Sequence, residues 1–121
     1  MNRQLVKIDG KDYFMQSSAW TQFKYRDVTG RKLSEDITKI KKLESKDDDV
    51  FSLLDDCVEI ILQMAYVMIL EADSKQVGTF EDFLKSINTL FDDIEWVYKV
   101  INLAYTPLYG GNKTNPQQST K

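Results

Sequence analysis

Residues 57–70 read CVEIILQMAYVMIL, and the fold turns on whether that block crosses a membrane or fills the core of a soluble domain. Only Glu59 and Gln63 interrupt its apolar side chains. As helix, a block of this length covers about 21 Å, short of the ~30 Å hydrocarbon layer of a bilayer. Acidic residues flank it on both sides. The block therefore reads as a buried helix with no membrane partner. Asp47-Asp48-Asp49 places carboxylates where the positive end of a helix favours them, which predicts one long helix over roughly 48–72. Asp48, Ser52, Asp56, Glu59, Gln63 and Tyr66 recur every three or four positions and form one narrow polar stripe. Most of the circumference is apolar. Either this is the central helix, wrapped by the rest of the chain, or part of its surface meets another chain.

Upstream, Asp9-Gly10 is a two-residue turn signal between alternating strands, because both turn positions need positive φ. Centring a hairpin there sets Ile8 opposite Lys11, Lys7 opposite Asp12, Val6 opposite Tyr13 and Leu5 opposite Phe14. Val6, Ile8, Tyr13 and Met15 then share one face. A lone hairpin is marginal in water, so this one must lean on helices or on another chain. Ser17 or Ser18 caps a following helix that carries Ala19, Trp20 and Phe23, and Gly30 sits where a C-terminal glycine belongs. Ser34 caps a second helix with Glu35 and Asp36 in its first turn. Its apolar residues are Ile37, Ile40 and Leu43, with lysine at 39, 41 and 42.

Downstream, Gly78-Thr79 breaks the chain and Thr79 caps a helix opened by Glu81 and Asp82. Phe80, Phe83, Leu84, Ile87, Leu90 and Phe91 follow the spacing of one amphipathic helix. Asp92-Asp93 starts a last helix with Ile94, Val97, Tyr98, Ile101, Ala104 and Tyr105 on one face, while Trp96, Val100 and Leu103 form a second apolar strip. Pro107 is expected to end it. The reading is mainly α: an N-terminal β-hairpin followed by about five helices in one compact, bundle-like domain over 1–106. A polar tail over 107–121, rich in Gly, Asn, Gln and Thr, is expected to be disordered.

Composition removes most enzyme chemistry. The chain has 121 residues and no histidine, so it holds no Ser-His-Asp triad, Cys-His pair or histidine metal ligand. Cys57 is the single cysteine, which excludes an intrachain disulfide and a multi-cysteine metal site. No phosphate-cradling glycine loop is present. Asp47-Asp48-Asp49 lacks the glycine and terminal glutamate of a calcium loop and reads as a helix opening. Glu59 reads as a solvated stripe residue and Cys57 as a buried thiol. The match of Asn112-Lys113-Thr114 to a glycosylation acceptor reads as chance, since the first residues lack a signal-peptide apolar run. These considerations name no catalytic residue, no cofactor and no metal, and point to a non-enzymatic protein of the cytoplasm. The net charge of −3 argues against a dedicated nucleic-acid binder. Residues 31–46 hold six basic and three acidic side chains, but no aromatics interleave with them, so they read first as a solvated face.

Several segments resemble one family. They are the hairpin around Asp9-Gly10, the stretch AWTQFKYRDVTGRKL with its Gly30-Arg31-Lys32-Leu33 step, the block ILQMAYVMILEAD, and Thr79-Phe80-Glu81-Asp82-Phe83-Leu84. Together they look like the tail assembly chaperones of long-tailed phages and prophages of Gram-positive bacteria, over residues 5–105. The resemblance implies a chaperone in the bacterial host cytoplasm that binds the aggregation-prone tape measure protein before the tail tube polymerises around it. It also implies, in many relatives, a longer frameshifted form whose extension recruits tail tube protein. The apolar excess suggests a helix-in-groove contact through Phe80, Phe83, Trp96, Val100 and Leu103, and a homo-oligomer. The alternative is a small helical nucleic-acid-binding or regulatory protein of a phage or prophage, using residues 31–46.

Overall fold

Asp9 and Gly10 both lie at positive φ, 54° and 78°, and they close the hairpin in the expected register. The computed structural model describes the backbone of residues 2–46 and 50–110 and, within it, every side chain outside 44–46, 50–54 and 56. The elements run β1 (Asn2–Ile8), β2 (Lys11–Ser17), α1 (Ala19–Thr29), α2 (Leu33–Lys46), α3 (Val50–Asp73), α4 (Phe80–Lys85) and α5 (Glu95–Tyr109), with one 3-10 turn at Ser74–Gln76. The pairing extends from Ile8↔Lys11 through Leu5↔Phe14 to Asn2↔Ser17. Val6, Ile8, Tyr13 and Met15 are buried on its inner face.

The hairpin rests on α3 and α5, and α3 also touches α1, α2 and α4. Every side chain from Met64 to Ile69 is buried. Consecutive helical residues step by about 100°, so this run is covered on all sides. The block at 57–70 is thus the central helix of the domain, and its apolar excess is used by the chain's own core. Among the described residues, no helix is long and apolar enough to cross a membrane. The anticipated polar stripe is narrower than its spacing suggests. Glu59 is exposed and Gln63 half-buried, while Tyr66 is buried and donates its hydroxyl to the Gly78 carbonyl at 2.8 Å. Burial, then the nearby Asp82 charge, pushes the Tyr66 hydroxyl above its usual range. Asp47-Asp48-Asp49, the side chains of Ser52 and Asp56, and the expected tail over 111–121 lie outside the described residues.

The roll of α1 is set by polar bonds. Ser18, its N-cap, accepts from the Trp20 amide, and the Ser18 amide in turn donates to Thr21 Oγ1 at 2.8 Å. The Ser18 hydroxyl also donates to Glu71 at the end of α3 at 2.6 Å, and Thr21 donates to the second oxygen of the same carboxylate. A carboxylate at a helix N-terminus is favoured by the dipole as well. These bonds turn Thr21 and Tyr25 inward. Trp20 and Phe23, which the sequence places on the apolar side of the helix, are left 47% and 65% exposed.

Ser34, expected to cap the second helix, lies inside α2, which begins at Leu33, and two further helix boundaries differ from the sequence reading. The amphipathic run from Phe80 to Phe91 is helical only to Lys85. Thr79 caps the helix as expected and forms a capping box with Asp82, and a Cβ on Gly78 would collide with the Asp82 carboxylate that completes it. Beyond Ser86 the backbone is claimed by tertiary partners. The Asn88 amide donates to Asp9 of the hairpin turn at 2.8 Å, and Trp96 Nε1 donates to the Leu90 carbonyl at 2.9 Å. Ile87 and Leu90 still pack on the core, from a loop. The second difference is Pro107, which lies inside α5. Its missing N–H removes only one bond near the helix end. The Gly110 amide closes the last turn on the Thr106 carbonyl at 2.9 Å, and Leu108 packs on the core. The folded unit therefore runs past 106.

Candidate partner-binding surface

Four of the five residues expected to meet a partner are in the core. Phe83, Trp96 and Val100 are at most 1% exposed and Leu103 is 6% exposed. Phe83 sits in an aromatic cluster with Tyr13, Tyr66 and the half-buried Phe80, at centroid distances of 5.6, 6.0 and 6.3 Å. Trp96, Val100 and Leu103 face inward because α5 packs on both β1 and α3, so this second strip is covered, while Tyr98 on the first strip stays 40% exposed. That corrects the expectation of an outward strip. Cys57 is buried as well.

A polar network that the sequence did not announce ties α1, α2 and α3 together. Tyr25 donates its hydroxyl to Asp36 Oδ2 at 2.5 Å. Arg31 Nε donates to the same oxygen at 3.0 Å, and Arg31 Nη2 reaches the Tyr25 hydroxyl at 3.3 Å and Gln63 Oε1. Asp36 is 7% exposed. Burial, and next the Asp36 bond, push the Tyr25 hydroxyl well above its usual range, while the Asp36 bond holds the Arg31 guanidinium above its own. A tyrosine that resists ionisation and a pinned arginine make a structural clamp rather than acid–base machinery. The clamp also takes Arg31 out of the basic segment at 31–46. Spacing could not reveal it, because its members come from three helices and the connection between α1 and α2. The one available signal was Tyr25, a polar-tipped aromatic in phase with Thr21.

The hairpin has an edge device of its own. Leu5 and Phe14 form a pair whose backbone groups point away from the partner strand. On the β2 side these groups are satisfied by Gln76, which accepts from the Phe14 amide at 2.8 Å and donates to its carbonyl at 2.9 Å. Outside, Leu5 and Phe14 are each 45% exposed, and the Arg3 guanidinium lies 4.8 Å from the Phe14 ring centre.

An open groove of about 430 Å³ lies between α2 and the end of α5, lined by Ile37, Thr38, Lys41, Lys42, Tyr105 and Tyr109. The Tyr105 and Tyr109 rings sit 4.9 Å apart, and Lys41 Nζ stands 5.0 Å from the Tyr105 ring centre. Tyr109 is 53% exposed. The groove thus combines an apolar floor, two aromatic faces and an ammonium pair. Such a site suits an apolar side chain with a carboxylate beside it, or a stacked ring with an anionic group. The sequence missed it because residues 37–42 and 105–109 meet only in the fold. Among the described residues, no cluster of three or more acidic or cysteine side chains could hold a metal ion. No family model, no curated protein and no solved structure matches this chain.

Proposed function

We propose that the chain is a non-enzymatic binding protein of the bacterial host cytoplasm, a phage tail assembly chaperone that holds the tape measure protein in solution. A longer frameshifted form would add contact with tail tube protein. The observation that carries the reading is the groove between α2 and the end of α5. It is open, bordered by Tyr105 and Tyr109, and basic at its rim, which fits an amphipathic partner helix whose apolar face is flanked by carboxylates. The resemblance of residues 5–105 to that chaperone family supplies the identity of the helix.

The test is co-expression with the tape measure protein of a long-tailed phage of Gram-positive bacteria. A soluble complex is expected, and Tyr109→Ala should weaken it about tenfold or more, as removal of an interface aromatic does. An unchanged tape measure solubility with no complex recovered overturns the proposal. A second reading is favoured by the same groove. The fold sets Tyr105 and Tyr109 beside Lys41 and Lys42, and so adds the aromatics that the basic segment lacks in sequence. Retention on single-stranded nucleic acid that falls steeply with salt would support that reading, and no retention at low salt would remove it.

A further inference from the structure

The two edges of the hairpin are not alike. On β2 the outward N–H and C=O of Phe14 are both answered by Gln76. On β1 the outward groups belong to Arg3, Leu5 and Lys7. Leu5 faces Phe14 in a pair whose backbone groups point away from each other, and the pattern repeats at every second residue. Among the described residues, nothing bonds to these three outward N–H and C=O pairs, and all three side chains are exposed. There is also room beside them. A cleft of about 470 Å³ lies between Leu5 and Lys7 on one side and Glu95, Trp96 and Lys99 of α5 on the other.

We infer that the free edge of β1 takes up an extended segment of a partner protein as a third, antiparallel strand, with an apolar side chain opposite Leu5 and carboxylates opposite Arg3 and Lys7. Backbone groups spaced two residues apart are matched by an extended chain, whereas a helix spends its own groups internally. In an antiparallel strand one residue answers both groups of Leu5, as the Gln76 carboxamide answers both groups of Phe14.

The charges along the edge select among extended chains. Among the described residues, neither Arg3 nor Lys7 forms an ion pair. The carboxylates of the cleft are placed elsewhere. Asp93 accepts the Glu95 amide at 2.9 Å, Glu95 lies 3.6 Å from Lys99, and Asp12 stands on β2 on the far side of Lys7 from the open edge. Cations on an edge blunt indiscriminate pairing, so an added strand must bring its own carboxylates. A second copy of β1 does not fit. With Leu5 against Leu5, Arg3 of each copy meets Lys7 of the other, and a shift of two residues either way sets Leu5 against a cation. The intervening side chains of the added strand point toward Trp96, Glu95 and Lys99, which suits small hydroxyl residues. This inference does not rest on the chaperone reading, and it uses a different surface from the groove at Tyr109.

Titration of the isotope-labelled full chain with the peptide acetyl-TETVTET-amide, followed by NMR to millimolar concentration, tests it. The valine is set against Leu5 and the two glutamates against Arg3 and Lys7. Saturable shifts are expected, largest at the amides of Arg3, Leu5 and Lys7, with slower hydrogen exchange at Leu5. Methylating the valine nitrogen removes a bond to Leu5 and should weaken binding about tenfold or more, while methylating the nitrogen of the next threonine, which faces away, should not. Replacing both glutamates by lysine should also weaken binding about tenfold or more. Leu5→Pro deletes the outward N–H, spares the bonds to β2 and should weaken binding likewise. Melting curves show whether that variant is folded, and if it is not, the peptide series on the unaltered chain decides. No shift at the β1 amides overturns the inference. So does equal binding of the two methylated peptides, or equal binding of the lysine and glutamate peptides.

Discussion

Tyr25 shows how one residue sets both the stability of the clamp and its response to pH. Burial and the bond to Asp36 raise its hydroxyl above the ordinary value near 10. Folding therefore favours the protonated hydroxyl. Above about pH 10 the unfolded chain releases that proton while the native chain keeps it, so stability falls as pH rises. Below that pH the contribution is fully present. Tyr25→Phe keeps the ring and deletes the hydroxyl. It is expected to cost about 1.5–3 kcal/mol at neutral pH, the worth of a hydrogen bond to a charged group. It should also lessen the alkaline loss relative to wild type. Denaturant midpoints from neutral pH into the alkaline range measure both, and identical alkaline slopes for the two chains would refute the assignment. None of this was legible at Tyr25, whose partners Arg31 and Asp36 lie outside α1.

At the scale of elements, the hairpin was the most legible part of the chain. Asp9-Gly10 admits one tight turn, and a slip of one residue would turn Val6, Ile8, Tyr13 and Met15 outward. The register in the structure is the one the turn dictates. What the strands could not show is the cover over their edge. Gln76, from the turn after α3, answers both backbone groups of Phe14. Gln76→Ala should cost about 1 kcal/mol, the net worth of an ordinary hydrogen bond or two. It should also speed exchange of the Phe14 amide more than that of Tyr13, whose amide faces β1. Equal protection of Phe14 in wild type and variant would remove Gln76 from that role. The shortening of α4 carries the same lesson in reverse. Local spacing favoured helix to Phe91, but Asp9 and Trp96 each take a hydrogen bond from or to the loop at 86–94, and that competition ends the helix.

For the molecule as a whole, the two tryptophans mark the difference between core and surface. Trp96 is 1% exposed, with its indole N–H bonded to Leu90, and Trp20 is 47% exposed on α1. Trp96→Ala should destabilise the fold by about 3–5 kcal/mol, through lost burial and the cavity left behind. Trp20→Ala should change the stability of the monomer by less than about 0.5 kcal/mol. Chemical unfolding at low concentration measures both, and comparable losses would mean that the core is drawn wrongly. The same contrast puts Trp96, Val100 and Leu103 inside the core and leaves Trp20, Phe23 and Tyr109 among the exposed side chains.

The sequence by itself determined the class of fold, the hairpin with its register, the cap at Thr79, and the exclusion of histidine and multi-cysteine chemistry, and it narrowed the cap of α1 to Ser17 or Ser18. These follow from turn stereochemistry, periodicity and the identity of side chains, which are local properties. Only the tertiary structure decided that the block at 57–70 is the central helix and that Trp96 faces in while Trp20 and Phe23 face out. It alone showed that Lys41 and Tyr105 share a groove. Periodicity tells which side of a helix is apolar, but the roll of a helix and the covering of each face are set by what packs against it. For α1 that was the pull of Glu71 and Asp36 on Ser18, Thr21 and Tyr25, a polar preference strong enough to leave two aromatic rings in water.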